Sequence, residues 1–108
     1  MSEQQLYELH ASICQTLANP KRLEIINLLR DDEMTVSELT ESMQISQANL
    51  SQHLALMRQK GIVIARREGL NIHYRLGNPK IIKACDLVRQ VLIENLESNA
   101  ALVETARA

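Results

Sequence analysis

Apolar positions along this chain fall at helical spacing up to Lys60, switch to an alternating pattern, and then return to helical spacing. Leu6, Leu9, Ile13 and Leu17 predict a first amphipathic helix over about Glu3–Leu17. Asn19-Pro20 ends it and starts a second, with Asn as N-cap and Pro at the first helical position. Leu23, Ile25, Ile26, Leu28 and Leu29 predict that this second helix is well buried and ends near Arg30. Asp31-Asp32-Glu33 reads as a polar connection. Thr35-Val36-Ser37-Glu38 has the form of a capping box and opens a short helix to Met43, with Val36, Leu39 and Met43 inward. Gln44-Ile45 is a tight connection. Ser46 is the next N-cap, and Ala48, Leu50, Leu54 and Met57 carry a helix to about Lys60, where Gly61 stops it.

Ile62–Arg67 and Asn71–Leu76 then read as two strands, joined by a turn at Glu68-Gly69. Tyr74 is expected to pack on the body of the domain. Asn78-Pro79 repeats the Asn-Pro helix start, and Ile82, Cys85, Val88, Leu92 and Leu96 lie on one face of a last helix over about 79–100. The Ala-rich tail beyond it is expected to fray. The reading is mainly α with a small β-hairpin, in the order α-α-α-α-β-β-α: a single winged helix-turn-helix domain over 1–108. Its helix-turn-helix spans about 35–60 and its wing about 62–76.

Composition narrows this. The 108 residues suit one domain. Hydrophobic residues make up 45% but include neither Phe nor Trp, so the core is aliphatic. Two Tyr are the only aromatics, which argues against a stacking platform for single strands. Net charge is −1, yet Arg58, Lys60, Arg66, Arg67 and Arg75 face only Glu68 between Ser46 and Leu76. That stretch carries +4 and the other 77 residues −5, a polarity suited to an anionic partner. A solvated basic face is the plainer alternative.

The residues on the second helix of the helix-turn-helix sharpen the point. Ser46, Gln47, Asn49, Ser51, Gln52 and His53 crowd its first two turns, with Arg58 beyond, and no acid lies between Glu41 and Glu68. Gln and Asn pair with adenine edges in a major groove, and hydroxyls reach bases or phosphates. Arg66 and Arg67 on the wing would meet the DNA backbone or the adjacent minor groove, and Arg75 adds to that charge. Lys21 and Arg22 could hold a phosphate beside the second helix or be solvated charges. The partner expected is double-stranded DNA; the rival reading is a winged helix that serves as a protein-docking module, against which the local charge of +4 and the acid-free helix weigh.

Catalysis finds little support. Cys14 and His10, four residues apart, are the one candidate nucleophile–base pair, and no third orienting group or Gly-rich loop accompanies them among only 3 Gly. The reading is not an enzyme, with no cofactor required. The polar N-terminus, the lack of a membrane-length apolar run and only two Cys make a cytoplasmic protein the expectation, with no membrane partner.

Three motifs in order carry a resemblance. They are Leu17-Ala18-Asn19-Pro20-Lys21-Arg22-Leu23-Glu24-Ile25-Ile26, the run Ser46–Leu56 containing Ser51-Gln52-His53-Leu54, and Arg66-Arg67-Glu68-Gly69 followed by His73-Tyr74. Together, across roughly Leu9 to Val91, the chain resembles the ArsR/SmtB family. The resemblance implies a homodimeric repressor, joined through its first and last helices (about 3–17 and 79–100), that reads an inverted-repeat operator and is released by a small effector. The family's metalloid cysteines correspond to Thr35, Ser37 and Thr40 here, and the last helix holds Asp86, Glu94 and Glu97 without His, so neither of those metal sites carries over. Some relatives sense persulfides, polysulfides or oxidants with a helix-borne thiol pair. Cys14 and Cys85 are similar to such a pair, within or across subunits, although the family pattern puts the first Cys on the second helix. Three effector readings stay open: a reactive sulfur or redox signal at Cys14 and Cys85, a metal or metalloid held by Cys14, Cys85 and His10, or cysteines that only pack.

Overall fold

The computed structural model describes Met1–Arg107. Five helices and three short strands follow one another as α1 (Glu3–Leu17), α2 (Pro20–Leu28), β1 (Met34–Thr35), α3 (Val36–Met43), α4 (Gln47–Gln59), β2 (Val63–Glu68), β3 (Asn71–Leu76) and α5 (Lys80–Arg107). Each helix start is built by a local side chain. Ser2 and Gln5 form a reciprocal capping box on α1, as do Thr35 and Glu38 on α3. The Asn19 carboxamide accepts from the Lys21 and Arg22 amides at 2.9 and 3.2 Å, and Asn78 accepts from Lys80 at 3.0 Å.

Ile25 and Ile26 of α2, Leu39 of α3, Leu50, Leu54 and Met57 of α4, and Val63 of β2 are fully buried and form the centre of the core. Leu76 and Ile82 close it from β3 and α5, and Tyr74 packs against it as expected. α4 therefore rests on the core along a stripe at positions i, i+4 and i+7, which fixes its rotation and turns its polar residues out.

Four features differ from the sequence reading. Met34–Thr35 forms a third strand, antiparallel to β3 with Met34 opposite Tyr74, so the sheet order is β1-β3-β2. Two residues are too short to show alternation, and the strand is made by pairing with β3 rather than by its own pattern. The wing is shifted by one residue: β2 runs Val63–Glu68, and the turn falls at Gly69-Leu70, where Gly69 takes φ +60°. The second helix is less buried than its apolar residues suggested, with Leu23 44% exposed, and Ala48 is exposed on α4. Lastly, α5 does not fray near residue 100 but continues to Arg107, about 42 Å at the standard helical rise. Its Ala, Leu and Glu content is strongly helix-forming, and that outweighs end effects.

This long helix makes the protomer elongated, 63 × 42 × 23 Å, and leaves an apolar face uncovered. Val88 is 70% exposed, and Leu87, Val91, Leu92 and Leu96 are all more than half exposed. Leu6, Tyr7 and Leu9 form a similar face on α1. An apolar surface of this extent marks an interaction site. Arg30, just beyond α2, braces α5 through two 2.8 Å bonds to Asp86. No described helix is long and apolar enough to cross a membrane.

Candidate nucleic-acid interface

α3, the turn and α4 make the helix-turn-helix. The chain reverses at Gln44, which adopts a left-handed conformation (φ 56°, ψ 42°) and donates its amide to the Thr40 carbonyl at 2.9 Å. Ser46 then caps α4 by accepting from the Asn49 amide at 3.1 Å. With Leu50, Leu54 and Met57 held in the core, Ser46, Gln47, Asn49, Ser51, Gln52 and Arg58 are all exposed around the rest of the helix and its N-cap. Ser46 has committed one lone pair to the cap and keeps its hydroxyl proton to donate.

His53 is placed differently from its neighbours. It is half-buried, and its Nδ1 accepts from Arg22 Nε at 3.2 Å. The same guanidinium donates from Nη1 to the Thr16 carbonyl of α1 at 3.1 Å. Burial, and then the positive charges of Arg22 and Lys21, hold the His53 pKa below the ordinary histidine value. Arg22 is thus turned inward, between α1 and α4, while Lys21 lies 3.8 Å from Glu24 on the surface.

The wing arginines also divide. Arg66 is engaged by two carboxylates, Glu33 at the edge of β1 and Glu68 on its own strand, the latter at 2.8 Å. These bonds raise the arginine pKa and hold both glutamates below the usual carboxylate range. His73 joins the cluster, 3.5 Å from Glu33 and 3.7 Å from Glu68. Arg67 and Arg75 are exposed and, among the described residues, enter no ion pair. They are the wing cations most open to a polyanion. Leu70, at the wing tip, is 99% exposed.

Sequence reasoning missed the Glu33–Arg66 contact, because 33 residues separate the partners and the strand that joins them was not foreseen. It also left open the place of Arg22. The signal available was the Asn19 cap, which fixes Arg22 in the first turn of α2 beside the end of α1.

The two cysteines lie on the helices that carry the uncovered apolar faces. Both are free thiols: Cys14 is exposed on α1, whereas Cys85 is half-buried on α5 and packs against the core. Burial, with a smaller contribution from Asp86, pushes the Cys85 thiol pKa up. Among the described residues no three His, Cys, Asp or Glu side chains gather as metal ligands, so His10, Cys14 and Cys85 do not form a three-donor site within one protomer.

Comparison with known proteins adds a consistent picture. A model of the arsR family of bacterial regulatory proteins matches residues 19–65. The HTH-type transcriptional regulator Rv0081 of Mycobacterium tuberculosis is 37% identical over 109 residues, covering 100% of this chain and 96% of its own. Its crystal structure matches with a TM-score of 0.81 at 35% identity, over 88% of this chain and 96% of that one. The transcriptional activator HlyU of Vibrio cholerae is 34% identical over 79 residues, 73% of each chain. The structure of reduced HlyU gives a TM-score of 0.73 at 31% identity, over 82% of this chain and 93% of that one. A solution structure of the homodimeric winged helix-turn-helix DNA-binding domain of Mb0332 from Mycobacterium bovis gives 0.79 at 30% identity, covering 90% and 92%. With the capped helix-turn-helix, the three-stranded wing and a relative 37% identical across all of this chain, this chain belongs to the arsR family of bacterial regulatory proteins and is a transcriptional regulator, not an enzyme.

Proposed function

We propose that the chain is a homodimeric repressor that binds an inverted-repeat operator in duplex DNA, acts in the bacterial cytoplasm, and is released by a reactive sulfur or redox signal at Cys14 and Cys85. The observation that carries the DNA-binding reading is the solvent-exposed surface of α4, which presents Gln47, Asn49, Ser51, Gln52 and Arg58 with no acid among them. Arg67 flanks that face from the wing and supplies charge for phosphate contacts. Joining two copies through the uncovered faces of α1 and α5 would bury those apolar side chains. It would also set two recognition helices about 34 Å apart, one turn of the duplex. Mb0332, of the same fold, is a homodimer.

The sensing role rests on the placement of both thiols on the helices of that interface, where a sulfur bridge would change how the subunits meet. HlyU, a relative with the same fold, has been solved in a reduced form. One observation favours the plainer reading, in which the cysteines only pack: Cys85 is half-buried against the core and its thiol pKa is raised, which disfavours the nucleophilic thiolate. The deciding experiment is operator binding by the purified protein, reduced and then treated with polysulfide, with intact mass on the same samples. Loss of affinity together with a sulfur-bridged Cys14–Cys85 product supports the sensor. Unchanged affinity with free thiols removes it, and the same assay with arsenite or zinc then tests a metal-responsive repressor that assembles donors across the dimer.

A further inference from the structure

We propose that Arg22 is a positioning residue for DNA recognition: it holds His53 as the neutral Nε2–H tautomer and so gives the recognition helix one outward-facing imidazole donor. This rests on the DNA-binding reading above for its function, but not for its chemistry.

A guanidinium has only N–H groups to offer, so the 3.2 Å contact from Arg22 Nε to His53 Nδ1 requires a lone pair on Nδ1. A protonated imidazole has none there. The ring is therefore neutral, and its single proton is on Nε2. Nε2 has no hydrogen-bond partner among the described residues. No buried side-chain nitrogen or oxygen there lacks a partner either, so Nε2 is open to solvent. His53 stands one helical turn after Asn49, which is exposed on the DNA-facing side of α4. The resulting N–H matches an acceptor on DNA: guanine O6 or N7, thymine O4, or a phosphate oxygen.

The arrangement is held from both ends. Asn19 accepts from the Arg22 amide at 3.2 Å and fixes its backbone, while Arg22 Nη1 caps the last turn of α1 at the Thr16 carbonyl, 3.1 Å away. Thr16 itself is buried and donates its hydroxyl to the Ser12 carbonyl at 2.9 Å, so the anchor point is fixed. Burial and the charges of Arg22 and Lys21 both work against protonation of the ring. One guanidinium, in the first turn of α2, thereby sets the orientation and proton position of a side chain on α4.

Long-range 1H–15N correlation on the full-length protein labelled at its histidine nitrogens tests this without DNA. His53 is expected as a single Nε2–H tautomer at neutral pH, and Arg22→Met should give mixed tautomers and a higher His53 pKa. A wild-type His53 found as Nδ1–H, or tautomers unchanged in Arg22→Met, would overturn the proposal. The wild-type spectrum alone decides the tautomer should Arg22→Met prove too unstable to purify. On a duplex selected by the wild-type protein, His53→Ala should lose about tenfold in affinity, the order expected for one base or phosphate contact. A loss confined to one base pair identifies a base edge; an equal loss on all duplexes with an unchanged salt slope identifies a phosphate. No loss from His53→Ala would remove the recognition role, whereas failure of the wild type to bind any duplex would remove the DNA reading and leave the tautomer result standing.

Discussion

Glu33 and Glu68 both pair with Arg66 on the wing, and, on the proposed DNA-binding reading, releasing that guanidinium should change how binding depends on salt. The double substitution Glu33→Gln/Glu68→Gln removes both carboxylates that engage Arg66 while keeping their size and their capacity to accept a hydrogen bond. Each protomer then presents one more unpaired guanidinium on the wing, and a dimer presents two. Each additional phosphate neutralised steepens the dependence of log K on log salt by about 0.9, so the double variant should steepen it by about 1.8 per dimer. Between about 50 and 200 mM salt, this slope alone makes the ratio of variant to wild-type affinity fall by about twelvefold. The variant should gain most on random-sequence duplex, because phosphate contacts carry no sequence information. Fluorescence anisotropy on specific and random duplexes across that salt range reads both effects. Adding Arg66→Ala to the double variant should return the slope to the wild-type value, and Arg66→Ala alone should barely move it, while Arg67→Ala should flatten it. An unchanged slope in the double variant, with its fold intact by circular dichroism, would refute the idea that these carboxylates withhold Arg66 from phosphate.

Other consequences are as direct. Leu92→Glu/Leu96→Glu places two charges in the uncovered face of α5 and should convert the dimer to monomer by sedimentation velocity, with operator binding lost and helix content kept. Gly77→Ala should destabilise the fold, because a Cβ there would lie 2.5 Å from the Gly61 carbonyl oxygen, which is backbone and cannot step aside. A cost on the order of 1–3 kcal/mol is typical of such overpacking, read as a fall of roughly 4–8 °C in Tm per kcal/mol for a domain of this size. The lowered pKa of His53 means that the unfolded chain takes up a proton more readily than the folded one, so its contribution to stability is full above about pH 6.5 and is lost as pH falls below that. Tm should therefore drop between pH 7.5 and 5.5, and His53→Gln should flatten that drop.

The helices were legible because each writes its own beginning. Asn19, Thr35, Ser46 and Asn78 all cap within a few residues of themselves, and the aliphatic spacing of Leu50, Leu54 and Met57 fixes which face of α4 turns into the core. What the sequence hid depends on partners far along the chain. Met34–Thr35 becomes a strand only through β3, and that pairing brings Glu33 to Arg66 and His73. Three residues that looked alike as surface cations therefore separate once folded: Arg22 is spent on His53 and α1, Arg66 on two carboxylates, and Arg67 is left exposed. Val88, Leu92 and Leu96 read correctly as one face of a helix, but a single chain offers nothing to cover them.

The central claim, a dimer reading an inverted repeat through α4, is tested most directly by selecting a random duplex library with the purified protein. Enrichment of a two-fold symmetric site whose half-sites are centred about 10 base pairs apart is expected. Gln47→Ala, Asn49→Ala or Gln52→Ala should erode selection at individual base pairs, whereas Arg67→Ala should weaken binding to every duplex alike. A library that emerges unenriched, or a selected site without symmetry, would contradict it.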